Sequence, residues 1–112
     1  MLPLTQDDQA ISRIDWRPLV KMLSDDTLDA AYRARCFHET LAQCISELAV
    51  QYRKSNRNTA VGLSGGVFQN RLLVQLIKQR LDKHNIKFYM PSKIPVNDGG
   101  LSAGQIIEYH YQ

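Results

Sequence analysis

Two short stretches have the residue types and spacing to do chemistry: Leu63-Ser64-Gly65-Gly66-Val67-Phe68-Gln69-Asn70 and Asn97-Asp98-Gly99-Gly100. In the first, consecutive glycines between an apolar run and a helical pattern would expose backbone N–H groups at a helix N-terminus, where the helix dipole adds partial positive charge. That arrangement suits a phosphate or a ribose. It equally suits a tight strand-to-helix turn in which glycine supplies φ > 0, and residue types alone do not separate the two. In the second stretch Asp98 stands at a helix start, where Asp ordinarily serves as an N-cap. With glycines on its C-terminal side, the carboxylate is also open to a metal ion or a metal-bound phosphate. Both turns follow a strand, and ligands of open α/β sheets gather at the carboxyl ends of the strands. Ser64, Gly65 and Gly66 are therefore expected to share one cleft with Asn97, Asp98, Gly99 and Gly100.

Other chemistries find little support. No Lys follows Gly66 as a GxxxxGKS/T phosphate loop requires, and GxGxxG is missing as well. Gly62-Leu63-Ser64-Gly65-Gly66 has the bare GxSxG spacing, but no nucleophile-base pair can be assembled around Ser64, which sets a serine hydrolase aside. His38 lies beside an apolar stripe and reads as a satisfied boundary histidine, while His84 and His110 fall at helix ends, where a positive charge is ordinary. No HxxxH, HxH or Cys-His cluster occurs, so a self-sufficient transition-metal site is not expected. Cys36 and Cys44 fall on one expected helix, about 12 Å apart at a rise of about 1.5 Å per residue, too far for a disulfide. They read as reduced, buried thiols.

The elements that must position these residues follow from periodicity. Residues 1–13 show no clear period and read as a linker. Ile14 to Leu23 carries Trp16, Leu19, Val20 and Leu23 at helical spacing, with Asp15 able to cap and Pro18 in the first turn. The polar run Ser24-Asp25-Asp26-Thr27 then introduces a long helix with Ala30, Ala34, Phe37, Leu41, Ile45, Leu48 and Tyr52 along one face, ended by Lys54 to Asn58. Thr59 to Leu63 reads as a buried strand. The segment from Phe68 to His84 repeats Leu72, Leu73, Leu76, Ile77 and Leu81 as a helix, Ile86 to Met90 alternates as a second strand, and Leu101 to Tyr109 fits a last helix with Leu101, Gly104, Ile107 and Glu108 partly inward. The order helix, helix, strand, helix, strand, helix is that of an α/β fold. Two strands make a small sheet, so the chain is expected to be a piece of something larger or to complete its core by forming a homodimer.

The 112 residues, 44% of them hydrophobic, allow one domain, residues 1–112, with a real core. No run approaches the roughly 20 apolar residues that span a bilayer, and the acidic, polar N-terminus is unlike a signal peptide, so a cytoplasmic, membrane-free location is expected. A net charge of +3, with Arg53, Lys54, Arg57, Arg71, Lys78, Arg80 and Lys83 scattered and no aromatic stacking set, argues against nucleic acid.

The combination LSGGVFQNRLL (63 to 73) and P-x-NDGGLSAGQ (95 to 105), preceded by CFHETLA (36 to 42) and IDWRPL (14 to 19), resembles the closing segment of the hydrogenase-maturation carbamoyltransferases, the HypF family. The resemblance covers nearly the whole chain outside the first dozen residues. It implies the C-terminal lobe of a domain with the actin-like ATPase (ribonuclease H-like) fold, similar to the enzymes that transfer threonylcarbamoyl to tRNA. It also implies a part in passing a carbamoyl group, activated as a carbamoyl-adenylate with ATP, to a HypE-like acceptor protein during nickel-iron hydrogenase maturation. On that resemblance Ser64, Gly65 and Gly66 would line the nucleotide site, Asp98 would ligate a divalent metal ion, and Asn97, Gly99 and Gly100 would shape the same wall. No catalytic residue is assigned.

The family's acylphosphatase-like, zinc-finger and adenylate-forming regions, and the HxxxH pair that supplies its other metal ligands, lie outside these residues. Asp98 alone would hold metal weakly, and no carbamoyl transfer is expected of the isolated chain. The alternative reading is a non-catalytic nucleotide-binding or protein-interaction module that retains the fold.

Overall fold

The computed structural model describes residues 2–58 and 60–112. Its elements are β1 (Leu4–Gln6), β2 (Ser12–Ile14), α1 (Arg17–Leu23), α2 (Ala30–Ser55), β3 (Val61–Gly62), α3 (Arg71–Lys83), β4 (Phe88–Tyr89) and α4 (Leu101–Tyr111), with 3-10 turns at Gly66–Gln69 and Asp98–Gly100. The expected α/β order is present. β3 and β4 pair in parallel, Val61 opposite Phe88 and Gly62 opposite Tyr89, with α3 as the crossover. Thr59, placed in the first strand by its sequence, lies outside the described residues.

Helix α2 starts at Asp29, whose carboxylate accepts from the N–H groups of Ala31 (3.0 Å) and Tyr32 (3.3 Å). The N-cap is thus Asp29 and not the Ser24 to Thr27 run. A single apolar face was expected on this helix, but it is buried on two sides. Toward α3 it presents Ala42 and Ala49, both buried, flanked by partly buried Leu41 and Ile45. Toward α1 it presents Cys44, packed with Leu2 and Leu19. The expected stripe fails at its ends, where Ala30, Ala34 and Tyr52 are exposed. Small residues at the α3 crossing let the two backbones approach closely.

Helix α3 supplies the three largest fully buried side chains, Leu73, Ile77 and Leu81, which pack with Ala42, Ala49, Leu63 and Ile86. Each contributes about 1.5–3 kcal/mol by area removed from water. Leu72, expected on the same stripe, is left 37% exposed. The helix stops at a Schellman motif: the N–H of Asn85 donates to Asp82 O and that of Ile86 to Leu81 O, both at 3.0 Å, with Asn85 at φ 53°. Ile86 and Leu81 are both buried in the adjoining core, the apolar contact that accompanies this cap.

Where residues 1–13 were expected to be a linker, Leu4 to Ile14 form a β-hairpin: β1 and β2 pair antiparallel, Leu4 opposite Ile14. Asp7 holds the turn, accepting from the N–H groups of Gln9 and Ile11 and from the Arg13 guanidinium. Strands of three residues leave too little alternation to read. Helix α1 carries Pro18 in its first turn, as expected, and Asp15 accepts from the Arg17 N–H just before it. Trp16 and Val20 are exposed, leaving Leu19 as the buried residue of this helix.

Candidate functional site

The glycine turn is built by the pairing of β3 with β4, which continues one residue past the strand as the N–H of Leu63 donates to Tyr89 O at 2.9 Å. Gly65 then adopts φ +112°, a conformation open essentially to glycine alone. This backbone reverses the chain so that the Gly65 N–H donates to the carbonyl of Val96, in the loop before α4. The glycines do not open directly onto a helix, contrary to the sequence expectation. A 3-10 turn, Gly66–Gln69, intervenes, and α3 is capped by Asn70, whose side chain accepts from the Leu73 N–H at 3.1 Å. The N–H groups of Gly65, Phe68 and Asn70 are all used within the fold. Of these, the Gly65 N–H joins two loops and the other two close the 3-10 turn, so they are not offered to a phosphate.

In the second stretch the N-cap is Asn97, whose Oδ1 accepts from the Gly99 N–H at 3.0 Å, while the Gly100 N–H donates to Asn97 O at 2.9 Å. A Cβ on Gly100 would stand 2.6 Å from Pro95 O, so close backbone approach requires that glycine. Capping by Asn97 leaves Asp98 outside that role. Its exposed carboxylate makes no hydrogen bond or ion pair with the described residues.

These two turns form one end of a half-open cleft of about 720 Å³, within the range of small-molecule sites. Ser64, Asn97 and Gly100 line it together, as expected, with Pro91, Ile94 and Pro95 on the loop side and Leu101, Gly104, Gln105, Glu108, Tyr109 and Gln112 on α4. Gly65, Gly66, Asp98 and Gly99 are not on its wall. Gly66 lies behind it, where a methyl group on its Cα would stand 4.0 Å from the Asn97 Cβ, so the two turns are in contact. The cleft combines apolar surface from Ile94, the prolines and Leu101 with a few polar groups, which suits a flat ring carrying hydroxyls. The sequence turned Leu101, Gly104 and Glu108 inward without assigning them to a site and missed Gln105 and Gln112, which continue the i, i+3, i+4, i+7, i+11 pattern; Ile107, expected inward with them, is exposed on the other face.

Residues 2–105 match the family model described as "Carbamoyltransferase, Kae1-like Domain, second subdomain". The chain belongs to this carbamoyltransferase family. Among its curated relatives are carbamoyltransferase HypF of Synechocystis sp., 33% identical over 84% of this chain, and that of Rhizobium leguminosarum bv. viciae, 30% identical over 82%. The chain spans 12% of the length of each of these. A crystal structure of full-length HypF in a phosphate- and nucleotide-bound form superposes with a TM-score of 0.85 at 31% identity, covering 94% of this chain and 14% of that one. The α/β fold expected from the resemblance is thus the fold of the family.

Within this HypF-type subdomain, a metal ion would find one carboxylate, Asp98, and no group of three or more His, Cys, Asp or Glu among the described residues that could hold it. Asp98 offers one exposed carboxylate, and a metal ion held there would need further donors. His38 is not such a donor. Its Nδ1 lies 2.7 Å from Ala34 O and its Nε2 accepts from the Asn70 side-chain amide at 2.8 Å. A carbonyl only accepts, so Nδ1 carries the proton and both ring nitrogens are occupied. The histidine thereby ties α2 to the residue that caps α3.

Glu108 is the charged residue in the cleft lining, and the ion pairs lie away from the cleft. Glu39 receives Arg35 and Arg80, and the Arg35 hydrogen bond, then that of Arg80, holds its carboxyl below the ordinary range. Arg53, Lys54 and Arg57, expected to be scattered, share one hollow with the helix-end His84 where α2 and α3 finish, and Arg53 donates to the His84 and Asn85 carbonyls. Burial pushes the Cys44 thiol up, in keeping with the inert buried cysteine expected there.

Proposed function

We propose that this chain supplies one wall of a nucleotide site in a HypF-type carbamoyltransferase, accepting the nucleoside part of ATP or of a carbamoyl-adenylate in the cleft between the glycine turn and α4. The observation that carries this is the cleft itself, where Ser64 and Asn97 meet across turns joined by the Gly65–Val96 hydrogen bond. Apolar surface from Ile94 and Leu101 takes the base, and the Ser64 hydroxyl and Gln105 amide are within the same lining to bind ribose. The Asp98 carboxylate would hold a divalent metal ion as a single ligand, and such an ion would supply positive charge against the phosphates of the nucleotide.

On this reading the chain orients the nucleotide and forms no covalent intermediate of its own. Transfer to a HypE-like acceptor in hydrogenase maturation needs groups beyond these residues, so the isolated chain binds but does not turn over. No described helix is long and apolar enough to cross a membrane. The absence of a three-ligand cluster among the described residues favours, as second reading, a binding module without chemistry.

Calorimetric titration of the chain with ATP and Mg²⁺ tests the proposal. Binding weakened by Asp98→Ala in the presence of Mg²⁺, and by Leu101→Asp with or without the metal, is the expected result. No heat of binding at millimolar ATP would remove the nucleotide site from this chain.

A further inference from the structure

Four cations gather where the fold supplies no carboxylate. Arg53, Lys54 and Arg57 line one hollow of about 360 Å³ where α2 ends, and Arg53 and Arg57 with Lys87 line a second of about 290 Å³. The two hollows adjoin, with both arginines in the wall of each, and no Asp or Glu lines either. Among the described residues Lys54, Arg57 and Lys87 form no ion pair, whereas Arg13, Arg17, Arg33, Arg35 and Arg80 each meet a carboxylate. The chain has 14 basic and 11 acidic residues; with these four cations set aside, 10 basic residues face 11 acidic ones, so its formal excess of +3 lies entirely in this groove. Arg53 is also fixed in place. Its Nη1 donates to the His84 and Asn85 carbonyls at the end of α3, which leaves Nε and Nη2 for a ligand.

The groove is separate from the cleft. Ala60 and Lys87, in its second lobe, stand just before β3 and β4, while Ser64 and Pro91 of the cleft come after those strands. The strands are parallel, so the two features lie at opposite ends of the sheet. Between the cations the surface is apolar, with half-buried Val50 and buried Ile86 in the first lobe and Ala60 in the second.

We infer that this groove binds an acidic peptide segment of a partner protein, one in which carboxylates alternate with aliphatic side chains. Two lobes joined by shared guanidinium groups accept successive carboxylates of one chain, and Val50 and Ile86 accept the side chain between them. A single oxyanion would occupy one lobe and leave the other cations unmatched. No Phe, Tyr or Trp lines either lobe to stack a base, which disfavours nucleic acid. Charge complementarity of this kind sets the choice and orientation of a partner, and its position leaves the cleft open while the partner is seated.

Fluorescence anisotropy of the chain with a fluorescein-labelled peptide of alternating glutamate and leucine tests the inference, with an oligothymidylate of equal charge for comparison. The expected result is saturable binding of the peptide that weakens at least about tenfold between about 50 mM and about 500 mM NaCl. Arg57→Glu and Lys87→Glu, both at exposed positions, should each weaken it by at least about tenfold. Lys21→Glu, which makes the same change of net charge on the exposed surface of α1, should leave it within about twofold, all variants keeping the parent circular dichroism. No binding at millimolar peptide in low salt overturns the inference, and so does an equal loss with Lys21→Glu, since net charge alone then accounts for the affinity. Oligothymidylate binding as tightly as the peptide would make the groove a nucleic-acid surface, and displacement of the peptide by millimolar phosphate at constant ionic strength would make it a small-oxyanion site; either result also overturns the inference. Nucleotide is left out of every sample, so failure of the nucleotide site leaves this result unchanged.

Discussion

The backbone N–H of Gly65 donates to the carbonyl of Val96, joining the turn after β3 to the loop before α4 by a single hydrogen bond. Both walls of the cleft hang on this contact, and it exists because Gly65 holds φ +112°. Gly65→Ala is expected to cost about 1–3 kcal/mol, the usual range for such backbone strain, read as a lower midpoint in urea unfolding. Any nucleotide affinity of the chain should fall with it.

Gly100 and Gly104 make a paired comparison. A methyl at Gly100 would meet Pro95 O at 2.6 Å, whereas at Gly104 it meets nothing within 4 Å. Gly100→Ala should therefore lower the melting temperature. Gly104→Ala, in a helix interior, should raise stability by up to about 1 kcal/mol, and differential scanning calorimetry distinguishes the two signs.

The Asn70 side chain both caps α3 and donates to His38 Nε2. Asn70→Ala should destabilise the chain by about 1 kcal/mol as the cap is lost. In the parent protein, long-range nitrogen NMR of His38 near pH 8 should show the Nδ1–H tautomer. Finding the Nε2–H form would contradict the geometry.

Glu39 is held below its ordinary value of 4.5, chiefly by Arg35 and also by Arg80. A depressed carboxyl stabilises the fold fully above the unfolded-state value and loses that contribution as pH falls through the folded one. Stability measured by urea should thus decline as pH is lowered below about 4.5, and Glu39→Gln should flatten that part of the profile. The pair is half-exposed, so the difference at neutral pH should not exceed about 1 kcal/mol.

Long periodic segments were the legible part of the sequence. Leu73, Leu76, Ile77 and Leu81 announce α3 because a single core, made by α2 with Leu63 and Ile86, buries them all on one stripe. Helix α2 misleads the same rule, since its buried Ala42, Cys44 and Ala49 answer to two different neighbours and small residues carry little periodic signal. The hairpin of β1 and β2 is held by Asp7 across short strands, a tertiary device with no run long enough to read. At the site, the grouping of Ser64 with Asn97 and Gly100 follows from two turns at the ends of parallel strands. That Asn97 would cap in place of Asp98, and that α4 would form the opposite wall, depended on a loop path that local residue types do not fix.

The two-sided burial of α2 also gives the molecule a chemical clock. Cys44 is 2% exposed and sits in the cluster with Leu2 and Leu19, apart from the α3 core. Its thiol becomes reachable when the hairpin and α1 lift away, even while β3, α3 and β4 stay folded. With Cys36 replaced by serine, the rate of thiol labelling would time the opening of the N-terminal layer, separately from the global unfolding that exposes Ile77.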